Sequence, residues 1–491
     1  MSSNWTERRR DLLQTLKTIG GQGRAESESV EHLPRGYYPV SEHLRTLDPD
    51  VVLIVGPRGA GKTETARVLT EAGLAKAVAR HAPAVRLPSG ETDWLIGYPL
   101  QRQGFDVIGL RRFLKEVDSR LDSVRELWFA YLIRTLQKSL DVQARSVLKR
   151  LLDLQGGAVQ ENHRAFQQAG EEPVLALDRL DQSLERKDKF VFITYDELDT
   201  LGADDWEVTA KSIQGLVAFW AAYARRWRRI RAKIFLRTDL YDRHATSGGA
   251  DLAKLAAGRV EISWSDRDLY AMLLKRIANA SDSLYEYVRE TKSNTQWKED
   301  PDLGHIPILG SWKDVRPVVE RMIGPYMGAN QKKGLVYRWL LDHVRDGRGR
   351  GLPRPFVRLI EEAAHTEYST LHPLKEPRIL DPGAVRRALD HVSDEHVGHA
   401  LNEWPWLDLI KERFKGELVP WDRERDVVQL LDGPMSSTDS SRSLPPFKGR
   451  DLVDYLAEVG ILRLRPDGRI DAPDLFLSGL GLKRKGGVRR R

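Results

Sequence analysis

The run Val51-Val52-Leu53-Ile54-Val55-Gly56-Pro57-Arg58-Gly59-Ala60-Gly61-Lys62-Thr63 decides how the rest of the chain is read. Its first five residues are continuously apolar and largely β-branched, the pattern of a strand buried on both faces of a parallel sheet. The next eight fit G-x-x-x-x-G-K-[ST]. Glycines at that spacing let backbone N–H groups curve around an anion. The helix expected over Glu64 to Ala72 adds the partial positive charge of its N-terminus, and Lys62 reaches the outer phosphates. Gly56, Pro57, Arg58, Gly59, Ala60, Gly61, Lys62, Thr63 and Glu64 are therefore candidate residues for binding a nucleotide through its phosphates, with the Thr63 hydroxyl as a ligand for Mg²⁺.

Working outward, a loop of this kind needs an anionic group near the metal on a neighbouring strand. Phe190-Val191-Phe192-Ile193-Thr194 is a second buried-strand run, and it ends in Tyr195-Asp196-Glu197. Asp196 is the candidate second metal ligand, directly or through water. Glu197 is the candidate base that orients and deprotonates an attacking water. Further strand-like runs at Lys233 to Leu236 and Arg259 to Ser263 alternate with helical stretches, the pattern of an α/β domain. Asp196 lies 134 residues after Lys62, farther than a compact core requires. Between them Leu110, Leu114, Val117, Leu121, Leu127, Tyr131, Leu132, Leu136 and Leu140 repeat at helical spacing. A helical insertion, about 107–185, is expected there, suited to a partner-binding arm.

The phosphate loop together with the adjacent Asp-Glu pair resembles the ASCE division of P-loop ATPases, and within it the AAA+ and STAND groups, including the origin-recognition-like ATPases. The resemblance implies Mg²⁺-dependent ATP hydrolysis in an oligomeric or multi-component assembly, and it extends to ATPases of bacterial defence and mobile-element systems. Lys233-Ile234-Phe235-Leu236-Arg237-Thr238-Asp239 is similar to the strand that carries the sensor 1 residue, a role open to Arg237 or Thr238. Gly351-Leu352-Pro353-Arg354-Pro355 is similar to the start of a lid helix, which makes Arg354 the candidate lid arginine. Six cations without an acid, Arg225 to Lys233, precede the sensor-like strand. Arg225 and Arg226 are candidates for a finger inserted into a neighbouring subunit's site, and the alternative is a solvated helix face.

The remainder is consistent with several domains. The chain has 491 residues, enough for about three domains at roughly 150 residues each. A segment with one helix (1–50) leads into the ATPase core (51–265), followed by an all-α lid (266–400), a winged-helix-like domain (401–482) and a basic tail (483–491). Helices followed by alternation around Pro466-Asp467-Gly468, a hairpin signal, resemble a winged-helix domain. With no cysteine, zinc ribbons, iron–sulfur clusters and thiol catalysis are excluded. No apolar run approaches the roughly 18 residues of a membrane span, and no secretory signal is seen, so a cytoplasmic protein is expected. The formal charge is +7, with 78 basic and 71 acidic residues. Six of the last nine residues are basic, and without them the other 482 positions carry +1. DNA or RNA contact is therefore expected at the C-terminal end, through phosphates. The same motifs also serve a nucleotide-gated scaffold that binds ATP, hydrolyses it negligibly and assembles protein partners.

Overall fold

The computed structural model describes all residues except 1–2, 21–28, 72, 100–105, 203–204, 243–252, 254, 434–443, 446 and 486–491. The chain divides into two units, one comprising 39–58 and 62–262, the other 1–38, 59–61 and 263–491.

The first unit is built on a five-stranded sheet. Its strands are β1 (Leu53–Gly56), β2 (Glu91–Tyr98), β3 (Lys189–Tyr195), β4 (Ile230–Arg237) and β5 (Val260–Glu261), in the order β2-β3-β4-β1-β5. All pairings are parallel. Every residue of β1 is buried, β3 is buried beyond Lys189, and β4 is buried except at Arg231, as strands covered on both faces require. Sequence reading missed β2. It is an edge strand of mixed exposure, with Glu91 and Asp93 outward, so it lacks the apolar run that marks a central strand.

The strand β4 lies between β1 and β3, with Gly56 opposite Arg237 and Tyr195 opposite Ile234. The carboxyl ends of β1, β3 and β4 therefore share one edge, and β1 runs there into the glycine loop and helix α1 (Lys62–Thr70).

Residues 107–186 form six helices, among them α2 (Leu121–Thr135) and α3 (Glu172–Arg186). They are part of the core. The Trp128 indole on α2 donates to Ser212 O at 2.8 Å on α4 (Trp206–Tyr223). Phe129 packs against Phe219, tilted, and against Trp227, edge-on, with centroids 5.2 and 5.9 Å apart. The two helices approach so closely at Gly215 that a Cβ there would stand 2.3 Å from Val124 Cγ1. Helix α3 also anchors β4: the buried Asp181 carboxylate accepts from the N–H groups of Arg228, Arg229 and Ile230 at 3.0, 2.7 and 3.1 Å.

In the second unit, the N-terminal helix Ser3–Leu16 packs on α5 (Pro353–Thr370), where buried Arg9 pairs with Glu367. Helix α6 (Pro382–Glu403) follows. The expectation of an all-helical lid is corrected by an antiparallel hairpin, β6 (Gln296–Asp300) and β7 (Gly304–Ile308). Its turn is closed by Asp300, whose carboxylate accepts from the N–H groups of Asp302 and Leu303, and by Gly304 at φ +74°.

Toward the C-terminus come helix Leu407–Phe414, β8 (Leu418–Val419), helical turns over 423–432, α7 (Gly449–Glu458) and the hairpin β9 (Arg463–Leu464) and β10 (Ile470–Asp471). The hairpin turns at Asp467-Gly468, with Gly468 at φ +80°, and Trp421 bridges to Ile470. The expected tail begins too early. Lys483–Arg484 form β11, paired with β8, and Arg484 is held by Asp471 and Asp474 at 2.9 and 3.0 Å. Both residues are part of the fold, Lys483 through main-chain pairing, its N–H donating to Glu417 O, and Arg484 also through its carboxylate partners. Residues 486–491 of the expected tail lie outside the described residues.

Candidate functional site

The glycine loop leaves β1 and reaches α1 through two left-handed residues, Gly59 at φ +71° and Gly61 at φ +94°. A side chain at either position would be strained. Gly56 and Pro57 are buried, Arg58 and Gly59 half-exposed, and Ala60 buried. The Trp264 indole N–H donates to Ala60 O at 2.7 Å. Lys62 opens α1 and curls back over the loop, donating to Gly56 O and Pro57 O at 2.9 and 3.0 Å. Glu64, in the first turn of α1, is half-buried.

From the neighbouring strand end, Asp196 accepts a hydrogen bond from the Thr63 hydroxyl. Asp196 is buried, and burial pushes its carboxyl up to about 6, opposed by that bond, by the Glu197 N–H and by the Lys62 charge. Burial likewise pulls the Lys62 ammonium down to about 8, while Asp196 favours its charged form. The structure thus brings Lys62, Thr63 and Asp196 together across 134 residues of sequence, next to Glu197.

Glu197 is half-buried and sits at φ +51°, in the left-handed region that a non-glycine residue enters only when its surroundings hold it there. Sequence reading had no signal for this.

At the tip of β4 the two sensor candidates differ. The Arg237 guanidinium is buried and already engaged, at 3.0 and 2.7 Å from the two Asp239 oxygens and 3.6 Å from Asp199. The Thr238 hydroxyl oxygen is buried without a hydrogen-bond partner. A buried orphan of this kind is costly unless a ligand completes it. Asp199 and Asp239, which sequence reading passed over, join Asp196 in the electrostatic field at Lys62.

The arginine cluster is located elsewhere. Arg225 and Arg226 precede the amino end of β4, the sheet edge away from the glycine loop. Arg226 forms a two-bond pair with Asp178 at 2.8 and 2.6 Å, and Asp178 also accepts from the Trp227 indole. Arg229 and Arg231 pair with Asp188 and Asp50, and Arg228 lies 3.8 Å from Glu185. Lys233 is buried and donates to Asp48 O and Val51 O. Arg225 is exposed. The acids that balance these cations lie 40 to 50 residues upstream or farther, beyond any local window. Arg354 lies in the first turn of α5 after Pro353, half-buried, in the second unit.

In the C-terminal module, the hairpin arginines are largely neutralised internally: Arg469 pairs with Asp467, and Arg465 lies 3.6 and 3.5 Å from Asp467 and Asp471. The exposed residues of α7 are Arg450, Asp451, Asp454 and Glu458, an acidic set overall.

The parallel sheet of the first unit, with β1 leading to the glycine loop and on to the N-terminus of α1, has the α/β arrangement of P-loop nucleotide-binding proteins. A hydroxyl and a carboxylate beside a backbone anion cradle suit a hard divalent cation shared with phosphates. Among the described residues no group of three or more His, Cys, Asp or Glu could hold a metal by itself, and no helix is long and apolar enough to cross a membrane.

No family model matches the chain, and no curated protein matches it. Among solved structures, the ORC2 protein of Aeropyrum pernix in its ADPNP-ADP complexes aligns at 11% identity over 91% of each chain, with a TM-score of 0.35. The Walker-type ATPase PABY2304 of Pyrococcus abyssi aligns at 15% identity over 93% of this chain and 97% of its own, with a TM-score of 0.36.

Proposed function

We propose that the chain is a Mg²⁺-dependent ATPase. The observation that carries the reading is the Thr63–Asp196 hydrogen bond beside Lys62, with a second carboxylate, Glu197, one residue further on. In this reading the N–H groups of residues 58–63 cradle the phosphates, and Lys62 exchanges its loop carbonyls for phosphate oxygens. Thr63 and Asp196 hold Mg²⁺, which when bound supplies positive charge to the phosphate oxygens. Glu197 accepts a proton from the attacking water. Thr238 offers its unpaired hydroxyl to the terminal phosphate or to that water, while Arg237 stays with Asp239 and Asp199 unless the turn rearranges. The proposal includes a conformational change passed to a partner assembly, with Arg354 as the lid arginine.

The C-terminal module supports a winged-helix-like reading through its element order: helix, strand, helical turns, helix, hairpin. With the hairpin arginines paired to Asp467 and Asp471 and α7 acidic outside, phosphate contact falls to Arg463, Lys483, Lys485 and the cations of 486–491. The ATPase reading is tested by calorimetry with ATP and Mg²⁺ on the wild type and Lys62→Ala. Binding to the wild type that weakens about 10²-fold or more in the variant is expected from losing a charge-assisted phosphate contact. Equal affinity contradicts it. Binding without turnover, with every candidate partner supplied, favours the nucleotide-gated scaffold.

A further inference from the structure

We infer that Tyr98 and Thr200 are positioning residues for Glu197, holding its backbone in the left-handed conformation through a relay of two hydroxyls. The inference rests on the ATPase reading and adds residues that this reading does not use.

The relay is explicit in the geometry. The Glu197 carbonyl accepts from the Thr200 N–H at 3.0 Å and from the Thr200 hydroxyl at 2.8 Å. Because Thr200 Oγ1 spends its proton on that carbonyl, it is the acceptor in its 2.8 Å contact with Tyr98, whose phenol donates. Tyr98 closes β2, and its own carbonyl accepts from the Asp196 N–H at 3.0 Å. The side chain and main chain of one residue therefore bracket the turn that carries both functional carboxylates.

Tyr98 is itself fixed. Its ring meets the edge of Trp128 at 6.4 Å, and Trp128 meets Tyr195 at 5.7 Å, both nearly perpendicular. The phenol is pushed up by burial, and the charges it senses are those of Glu197 and Asp199. The short helical turn Leu198–Thr200 begins directly after Glu197, so residue 197 is the hinge on which the strand leaves the sheet. A glutamate at φ +51° returns to the favoured right-handed or extended regions when its restraints are removed. That rotation reorients the carboxylate without touching Lys62, Thr63 or Asp196.

The test uses the full chain with ATP and Mg²⁺. Tyr98→Phe removes one oxygen and keeps the ring, Thr200→Val removes the hydroxyl at constant shape, and Thr200→Ser keeps it. A displaced general base costs roughly 10- to 100-fold in rate, so kcat should fall by that factor in Tyr98→Phe and Thr200→Val. KM and nucleotide affinity should change less than about twofold, because binding is made elsewhere, and Thr200→Ser should recover most of the rate. Wild-type kcat in Tyr98→Phe and Thr200→Val overturns the inference. So does a parallel loss of affinity and rate that Thr200→Ser fails to rescue, which marks a merely structural role. Glu197→Gln is the control: if it turns over at the wild-type rate, the ATPase reading itself has failed, a different result from the one above.

Discussion

Replacing Asp181 by asparagine should loosen β4 and with it the sheet edge that carries the site. The carboxylate is buried and serves three main-chain donors, with Oδ1 accepting from Arg229 and Ile230 and Oδ2 from Arg228. An amide has one oxygen, so in either orientation an N–H of the chain faces an NH₂ group. Turning two charge-assisted bonds into neutral ones costs about 1 kcal/mol each, and leaving the third donor unpaired costs about 1 to 3 kcal/mol, for a total of about 3 to 5 kcal/mol. A chain with two units need not unfold in one step, so the suitable assay is hydrogen exchange of the β4 amides, Ile230–Arg237. The cost corresponds to exchange faster by about 10²-fold to several thousand-fold. Asp178→Asn, which weakens a half-exposed pair, should accelerate exchange far less. Exchange in Asp181→Asn within tenfold of the wild type would refute the reasoning.

Three further outcomes are expected. Arg226→Ala should cost about 1 kcal/mol of stability, the usual value of a partly exposed pair, and leave ATP turnover unchanged; a loss of 10³-fold in kcat without loss of stability would make Arg226 a trans-acting finger. Gly347→Ala places a Cβ 1.9 Å from Leu462 O, next to the Gly347 N–H bond to Gly460 O, so the second unit should lose about 2 to 4 kcal/mol in denaturant titration; an unchanged midpoint would show that the loop of residues 345–351 does not dock there. Burial holds the Lys233 ammonium at about 7 in the folded chain against 10.5 as the ordinary value. Between those pH values the unfolded chain binds more protons, so stability should rise with pH from 7 toward 10 and the rise should flatten in Lys233→Met; identical pH slopes in the two proteins would contradict this.

The phosphate loop was legible because its chemistry restricts residue identity: Gly59 and Gly61 occupy left-handed backbone and Lys62 is the required cation. Strands β1, β3 and β4 were legible because burial on both faces demands continuous apolar runs. Edge and surface elements carry no such demand. Thus β2, with Glu91 and Asp93 outward, and the β6–β7 hairpin, with Lys298 and Glu299 exposed, were missed. Local windows also hid pairing partners. The row from Arg225 to Lys233 reads as an unbalanced basic patch until folding brings Asp178, Asp181, Glu185 and Asp188 against it. Lys483 and Arg484 read as a tail until β8, about 65 residues earlier, pairs with them. Nothing local marks Glu197 as left-handed, because the proposed restraint, relayed through Thr200, ends on Tyr98, on a strand 99 residues upstream.

Hydrolysis itself is tested most directly by mixing the protein, in excess, with radiolabelled ATP and Mg²⁺ and quantifying ADP in acid-quenched samples. The wild type should convert its bound ATP to ADP, and Glu197→Gln should bind ATP with similar affinity and convert it about 10² to 10⁴-fold more slowly, the range contributed by a positioned general base. Equal conversion rates in the two proteins would contradict the role assigned to Glu197 and the proposed mechanism with it.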